Sequence, residues 1–141
     1  MIELHRKLTG NSCTFASLHL IEQYLKNDRL IIAYDIDDTV RSLHSASCEI
    51  VPSLIRMAKD KLNAYLIVYT SNCDIEGVEN YLKKWKIPYD SINENAPFAP
   101  KTSGKIFYNL LLDDKAGLGQ ACEILNDLIF LVDNNYIEKV R

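Results

Sequence analysis

Residues 30–40 read LIIAYDIDDTV. The first five are apolar or aromatic with no polar alternation. That is the pattern of a strand buried on both faces, as in a parallel sheet covered by other layers. The apolar run stops at Asp35, and Asp37 and Asp38 follow at once. In an open parallel sheet the carboxyl ends of the strands point to one edge, where ligands bind. A carboxylate cluster directly after such a strand is therefore a candidate site.

Working outward, two further segments repeat the arrangement. Tyr65–Tyr69 is an apolar run that passes into Thr70-Ser71-Asn72-Cys73-Asp74, where Asn72 or Asp74 can cap a helix. Tyr108–Leu112 reads as a strand followed by Asp113-Asp114. Between these runs lie helical patterns. One covers about Cys13 to Lys26, with Leu18, Ile21 and Leu25 on one face. A second runs from Val51 to Leu62, with Pro52 in its first turn and Val51, Leu54, Ile55, Ala58 and Leu62 as its stripe. A third ends near Lys86 and is expected to bury Ile75, Val78, Leu82 and Trp85. A short strand is expected near Pro88–Ile92, and residues 93–104, with two prolines and a glycine, read as a loop. A helix over Ala116–Leu128, a strand over Ile129–Val132 and a polar tail complete the pattern.

Short apolar runs alternating with amphipathic stretches predict an α/β fold: a Rossmann-like three-layer α/β/α sandwich with a mainly parallel sheet. The 141 residues fit one domain. Its expected divisions are an N-terminal extension (1–28), a catalytic core (29–132) and a tail (133–141).

Composition is that of an ordinary globular chain, 48% hydrophobic and 25% charged, with a net charge of −3. That balance argues against holding nucleic acid by bulk electrostatics, though not against a nucleotide or a nucleic-acid end held locally. The four cysteines, at 13, 48, 73 and 122, form no C-x-x-C pair and read as reduced thiols. Residues 1–12 lack a signal-peptide core, and no apolar run approaches the roughly 20 residues of a membrane span. A cytoplasmic protein with no membrane contact is the expectation.

The three segments are far apart in sequence, yet this fold brings them to one edge. Several carboxylates close together repel one another unless a cation binds. An all-oxygen donor set suits Mg²⁺, which also grips phosphate. A carboxylate can attack phosphorus, and a neighbouring one can protonate the leaving oxygen and later activate water. A hydroxyl, free amides and a lysine would hold the phosphoryl oxygens. Taken singly these features are usually structural: an Asp after a strand is most often a turn former or cap, and a lone lysine a solvated side chain.

Residues 31–40, IIAYDIDDTV, resemble the first motif of the haloacid dehalogenase-like (HAD) superfamily, an apolar strand followed by D-x-D-x-T. LIVYT (66–70) resembles its second motif, and LLLDD (110–114) is similar to its acidic fourth motif. The resemblance spans about residues 30–132. It implies a magnesium-dependent phosphatase working through an aspartyl-phosphate. Asp35 would be the nucleophile and a metal ligand. Asp37 would be the general acid/base, its backbone carbonyl also meeting the metal. Thr70 would bind the phosphoryl group, helped by amides near Ser71 and Asn72. Asp113 and Asp114 would complete the metal site. For the third-motif lysine Lys105 is preferred, because residues 103–106 look like the start of a helix; Lys101 and Lys115 are the other options.

From Asp35 to Thr70, and again from Thr70 to Lys105, the chain has 35 residues. These are largely used by core elements, so no inserted cap domain is expected. An open site admits a bulky phosphorylated substrate, such as a macromolecule or a nucleotide. A small one would need a partner subunit in a homo-oligomer to close it. Residues 41–48, with Arg41 and His44, could form a small flap; Arg41 reads first as a solvated loop residue and second as a substrate contact. KTSGK (101–105) lacks the pattern of a P-loop. A phosphotransferase of the same superfamily and a non-catalytic Mg²⁺- or phospho-ligand-binding module are the alternatives. A receiver-like domain fits poorly, since no lone Asp ends a middle strand.

Overall fold

Four short strands pair side by side, all in one direction, in the order β3-β2-β1-β4. The computed structural model describes residues 15–42 and 49–139. Within them the chain runs α1 (Phe15–Lys26), β1 (Ile31–Tyr34), α2 (Ile50–Leu62), β2 (Tyr65–Val68), α3 (Ile75–Lys84), β3 (Ser91–Ile92), β4 (Leu110–Leu112) and α4 (Leu118–Asp133). The fold is α/β with an all-parallel sheet, compatible with a Rossmann-like arrangement. No helix among the described residues is long and apolar enough to cross a membrane.

Register decides which side chains share a face. Ile32 lies opposite Leu66 and Leu110, and Tyr34 opposite Val68 and Leu112. These residues join one core cluster to which all four helices contribute: Leu20, Ile21 and Tyr24 from α1, Leu54, Ile55 and Ala58 from α2, Val78 and Leu82 from α3, Ile124, Leu125 and Leu128 from α4. Truncating a fully buried leucine such as Leu125 to alanine costs about 2–5 kcal/mol. Tyr34 is buried whole, its hydroxyl donating to Pro88 O at 2.8 Å, and burial raises its phenol pKa far above the ordinary value.

The opposite face has no helix among the described residues. Ile31, Ala33 and Ile67 are covered by Ala96, Ala99, Ile106, Phe107 and Tyr108, all from the connection between β3 and β4. The handedness of crossovers explains this. The steps β1 to β2 to β3 move one way along the sheet, with α2 and α3 on one face. The step from β3 back past β1 to β4 moves the other way, so a right-handed connection must cross the other face. Pro97, Pro100 and Gly104 keep that connection from forming a helix. Among the described residues the sheet thus carries a helical layer on one face and a loop cover on the other.

Three other expectations change. Ile129–Val132 is the last part of α4, not a strand. Buried Ala121, Ile124, Leu125, Leu128, Ile129 and Leu131 recur at helical spacing, and a short apolar run alone does not separate the two states. Residues 103–106 form bends and loop with no helix. Ile75 and Trp85 are exposed, at 38% and 48%, because only Val78 and Leu82 of α3 face the sheet. Helix α1 likewise turns Leu20, Ile21 and Tyr24 inward and leaves Leu25 outside.

Helix α2 ends at Asn63 in the left-handed conformation (φ 51°), where the amides of Asn63 and Ala64 bond the Lys59 and Ala58 carbonyls. Helix α3 begins at Asp74, whose carboxylate accepts the Gly77 amide at 2.9 Å. A Cβ on Gly77 would meet that carboxylate, so a larger residue there would have to displace the capping side chain. Residues 1–14, the proposed extension's start, and 43–48, including His44, lie outside the described residues.

Candidate functional site

The strand order reverses between β1 and β4: the chain leaves β1 toward β2 and returns on its other side as β4. This is the topological switch point, where the loops after two neighbouring strands diverge and leave a crevice. Asp35 follows β1 and Asp113-Asp114 follow β4. The pairing continues one residue beyond the strands, with the Asp35 amide donating to Leu112 O at 2.9 Å.

A carboxylate oxygen from each of Asp35, Asp113 and Asp114 lies within 4.8 Å of the other two. None of the three makes an ion pair among the described residues. Burial pushes the Asp35 carboxyl up to about 6, the charges of Asp113, Asp114 and Asp37 add to the rise, and a bond from the Ile36 amide opposes it. Three hard oxygen donors with uncompensated negative charge fit a hard divalent cation.

Local structure fixes each member. The turn after Asp35 is closed by bonds from the amides of Thr39, Val40 and Arg41 to Ile36 O and from Asp38 to Arg41 O, with Asp38 in the left-handed region (φ 61°). This brings buried Thr39 against the β4 loop. Its hydroxyl accepts the Asp114 amide at 2.9 Å and donates to Asp114 Oδ1 at 3.3 Å. Asp113 Oδ1 accepts the Lys115 amide at 2.9 Å, which sets the turn after β4.

Asp37 stands apart from the trio. Its Oδ1 accepts Arg41 Nε at 3.1 Å and Arg41 Nη2 in a short ion pair, and its Oδ2 accepts Asn72 Nδ2 at 3.1 Å. The Arg41 guanidinium lies 5.3 Å from the centre of the Tyr81 ring on α3. Arg41 is therefore a tethered partner of Asp37, not the solvated residue its loop position suggested.

Thr70 is buried at the end of β2. Its backbone is held twice by Asn93, which donates from Nδ2 to Thr70 O at 2.8 Å and accepts the Thr70 amide at 2.9 Å. Thr70 Oγ1 accepts the Asn72 amide at 3.1 Å, and Asn72 Oδ1 accepts the Asp74 amide at 2.9 Å. Thus Asp74 caps the helix, while Asn72 braces the turn and reaches Asp37. Ser71 is exposed beside them.

Lys105 makes no hydrogen bond or ion pair with the carboxylates among the described residues. The crossover starts at Asn93, at the carboxyl edge, and ends at Asn109, whose amide bonds Ile31 O at the amino edge. Phe98, Pro100 and Phe107 line a groove with Asn27 to Arg29 and Ile31 at that amino edge, and Lys101 and Lys105 share the next hollow with Phe107. The Lys105 ammonium lies 6.0 Å from the Tyr108 ring centre, and Lys105 makes no ion pair among the described residues.

Sequence reading missed Asn93, Thr39 and Tyr81 as supports. Asn93 was findable, since it too follows a strand at the carboxyl edge. Thr39 stands inside the D-x-D-x-T segment but its partner, Asp114, is set only by the fold. No protein-family model, curated protein or solved structure matches this chain.

Proposed function

We propose that this chain is a Mg²⁺-dependent phosphomonoester hydrolase of the haloacid dehalogenase-like type, working through an aspartyl-phosphate on Asp35. The observation that carries the reading is the meeting of Asp35, Asp113 and Asp114 oxygens within 4.8 Å at the switch point, with Asp37 and Thr70 on the adjoining loops.

Asp35, Asp113 and Asp114 would hold the ion. When bound, the ion offsets the negative charge of the carboxylates and of the phosphoryl oxygens. An oxygen of ionised Asp35 then attacks phosphorus as the bond to the leaving oxygen breaks, and a proton from the Asp37 carboxyl passes to that oxygen. In the second half Asp37 takes a proton from water, which attacks phosphorus. Inorganic phosphate leaves and the Asp35 carboxylate is restored. The Thr70 hydroxyl and the amides of the Ser71–Asn72 turn are the donors available to the phosphoryl oxygens. The site stands at an open edge with no inserted domain among the described residues, which suits a substrate whose bulk stays in solvent.

The test is hydrolysis of p-nitrophenyl phosphate with Mg²⁺, with an EDTA control and the Asp35→Asn variant. Activity lost in both is expected; full activity in Asp35→Asn overturns the nucleophile. One observation favours a second reading, a binding module for a metal or a phosphorylated ligand: no lysine makes an ion pair with the carboxylate cluster among the described residues. Mg²⁺ binding with no turnover on any phosphate ester would favour that reading.

A further inference from the structure

Both oxygens of Asp37 are engaged, and unequally. A carboxylate oxygen offers about two acceptor positions. Oδ1 accepts two guanidinium N–H groups of Arg41, whereas Oδ2 accepts one amide N–H from Asn72. Among the described residues Oδ1 is filled, and an acceptor position is left on Oδ2. Asn72 also donates its backbone amide to Thr70 Oγ1, so Oδ2 belongs to the network that ends at the Thr70 hydroxyl.

Arg41 is itself held on three sides. Its amide donates to Ile36 O at 2.9 Å, its carbonyl accepts the Asp38 amide at 2.7 Å, and its guanidinium lies over the Tyr81 ring. The planar guanidinium fork and its stacking on an aromatic face are properties lysine lacks. The backbone ring from Ile36 to Arg41 sets the spacing of acid and base, and α3 supplies the wall behind the base.

We infer that Arg41 is a positioning residue for proton transfer. By occupying Oδ1 and resting on Tyr81 it fixes the Asp37 carboxyl so that the proton passes through Oδ2. The inference rests on the proposed function and concerns the same site. In the first half-reaction the proton on Oδ2 goes to the leaving oxygen as the phosphorus–oxygen bond breaks, and Asp37 is left as a carboxylate paired with Arg41.

The test compares kcat/KM for two substrates, since this ratio reports the steps up to transfer onto Asp35. Phenyl phosphate has a poor leaving group that needs a proton, and p-nitrophenyl phosphate has one that leaves without it. Arg41→Met is expected to lower kcat/KM for phenyl phosphate about 10²-fold, the scale of general acid catalysis, and to lower that for p-nitrophenyl phosphate at least ~10-fold less. Arg41→Lys, which keeps charge but not the fork, should shift the ratio in the same direction by less, and it serves if the Met variant does not fold. In an Asp37→Asn background, adding Arg41→Met should change the ratio little. Equal losses for both substrates, or an undiminished effect in the Asp37→Asn background, overturn the inference and leave the phosphatase reading intact. A wild-type protein that hydrolyses neither substrate removes that reading and the inference with it.

Discussion

Asp35 and Asp37 are two residues apart, yet their surroundings are opposites. Asp35 meets two other carboxylates and no cation among the described residues, and burial raises its pKa. Asp37 meets a guanidinium and a side-chain amide among the described residues. The turn after β1 separates them, handing one to β4 and the other to α3. Repulsion left uncompensated at Asp35 marks a place that a ligand would complete. Compensation at Asp37 marks a group whose position is fixed beforehand.

The sharpest way to break this contrast is to remove each acid. Asp35→Asn should lower turnover at least ~10³-fold, since the attacking group is gone. Asp37→Asn should lower it about 10²–10⁴-fold while leaving metal binding in place. Equal loss of metal binding in both variants would erase the distinction between the two sites.

Metal binding is the next largest effect. At 100 times its Kd, Mg²⁺ should add about 2.7 kcal/mol to stability, read as a rise in Tm. Asp113→Asn and Asp114→Asn should each shrink that rise, and Asp37→Asn should preserve it. An unchanged Tm on adding Mg²⁺ to the wild type would mean that the trio holds no such ion.

The pH dependence follows from the raised pKa of Asp35. Without metal, the native state holds a proton on Asp35 up to about pH 6, whereas the unfolded chain releases it near pH 4. Native protein therefore binds more protons between those values, and this contribution to stability is lost as pH rises through the window. The Tm of Asp35→Asn minus that of the wild type should grow from pH 4 to pH 7 and then level off. A difference that stays flat would mean that Asp35 is not raised. The smallest effect is expected at Thr39. Thr39→Val breaks the two-way bond with Asp114 and should cost about 1–2 kcal/mol. It should weaken Mg²⁺ binding and leave the Arg41–Asp37 pair intact.

Much of the frame was legible because β1 and β2 are apolar at every position, and such runs have few other homes. The acidic loops were legible for the same reason, since they begin where those runs stop. The last turns of α4 were not, because Ile129 to Val132 is apolar without showing its period until joined to Ile124 and Leu125. The loop over residues 93–104 was plain from its prolines. Its service as the cover of a sheet face was not, since nothing local marks Ala96 or Phe107 as a lining residue. Lys105 shows the limit most clearly. Residues following a strand emerge at the carboxyl edge, but residues preceding one approach from the amino edge, and closeness in sequence to Asp113 says nothing about that polarity. Arg41 was legible as a residue and not as a partner, because its bond to Asp37 depends on the tight turn between them.

The bond between Thr39 and Asp114 joins positions 75 residues apart. Every member of the trio therefore depends on β4 taking its place beside β1, a pairing made only after the long crossover has closed. Closing a loop of that length costs chain entropy, which the contacts across the seam must offset. A cation at the trio would act as a clasp across that seam and so would oppose its opening.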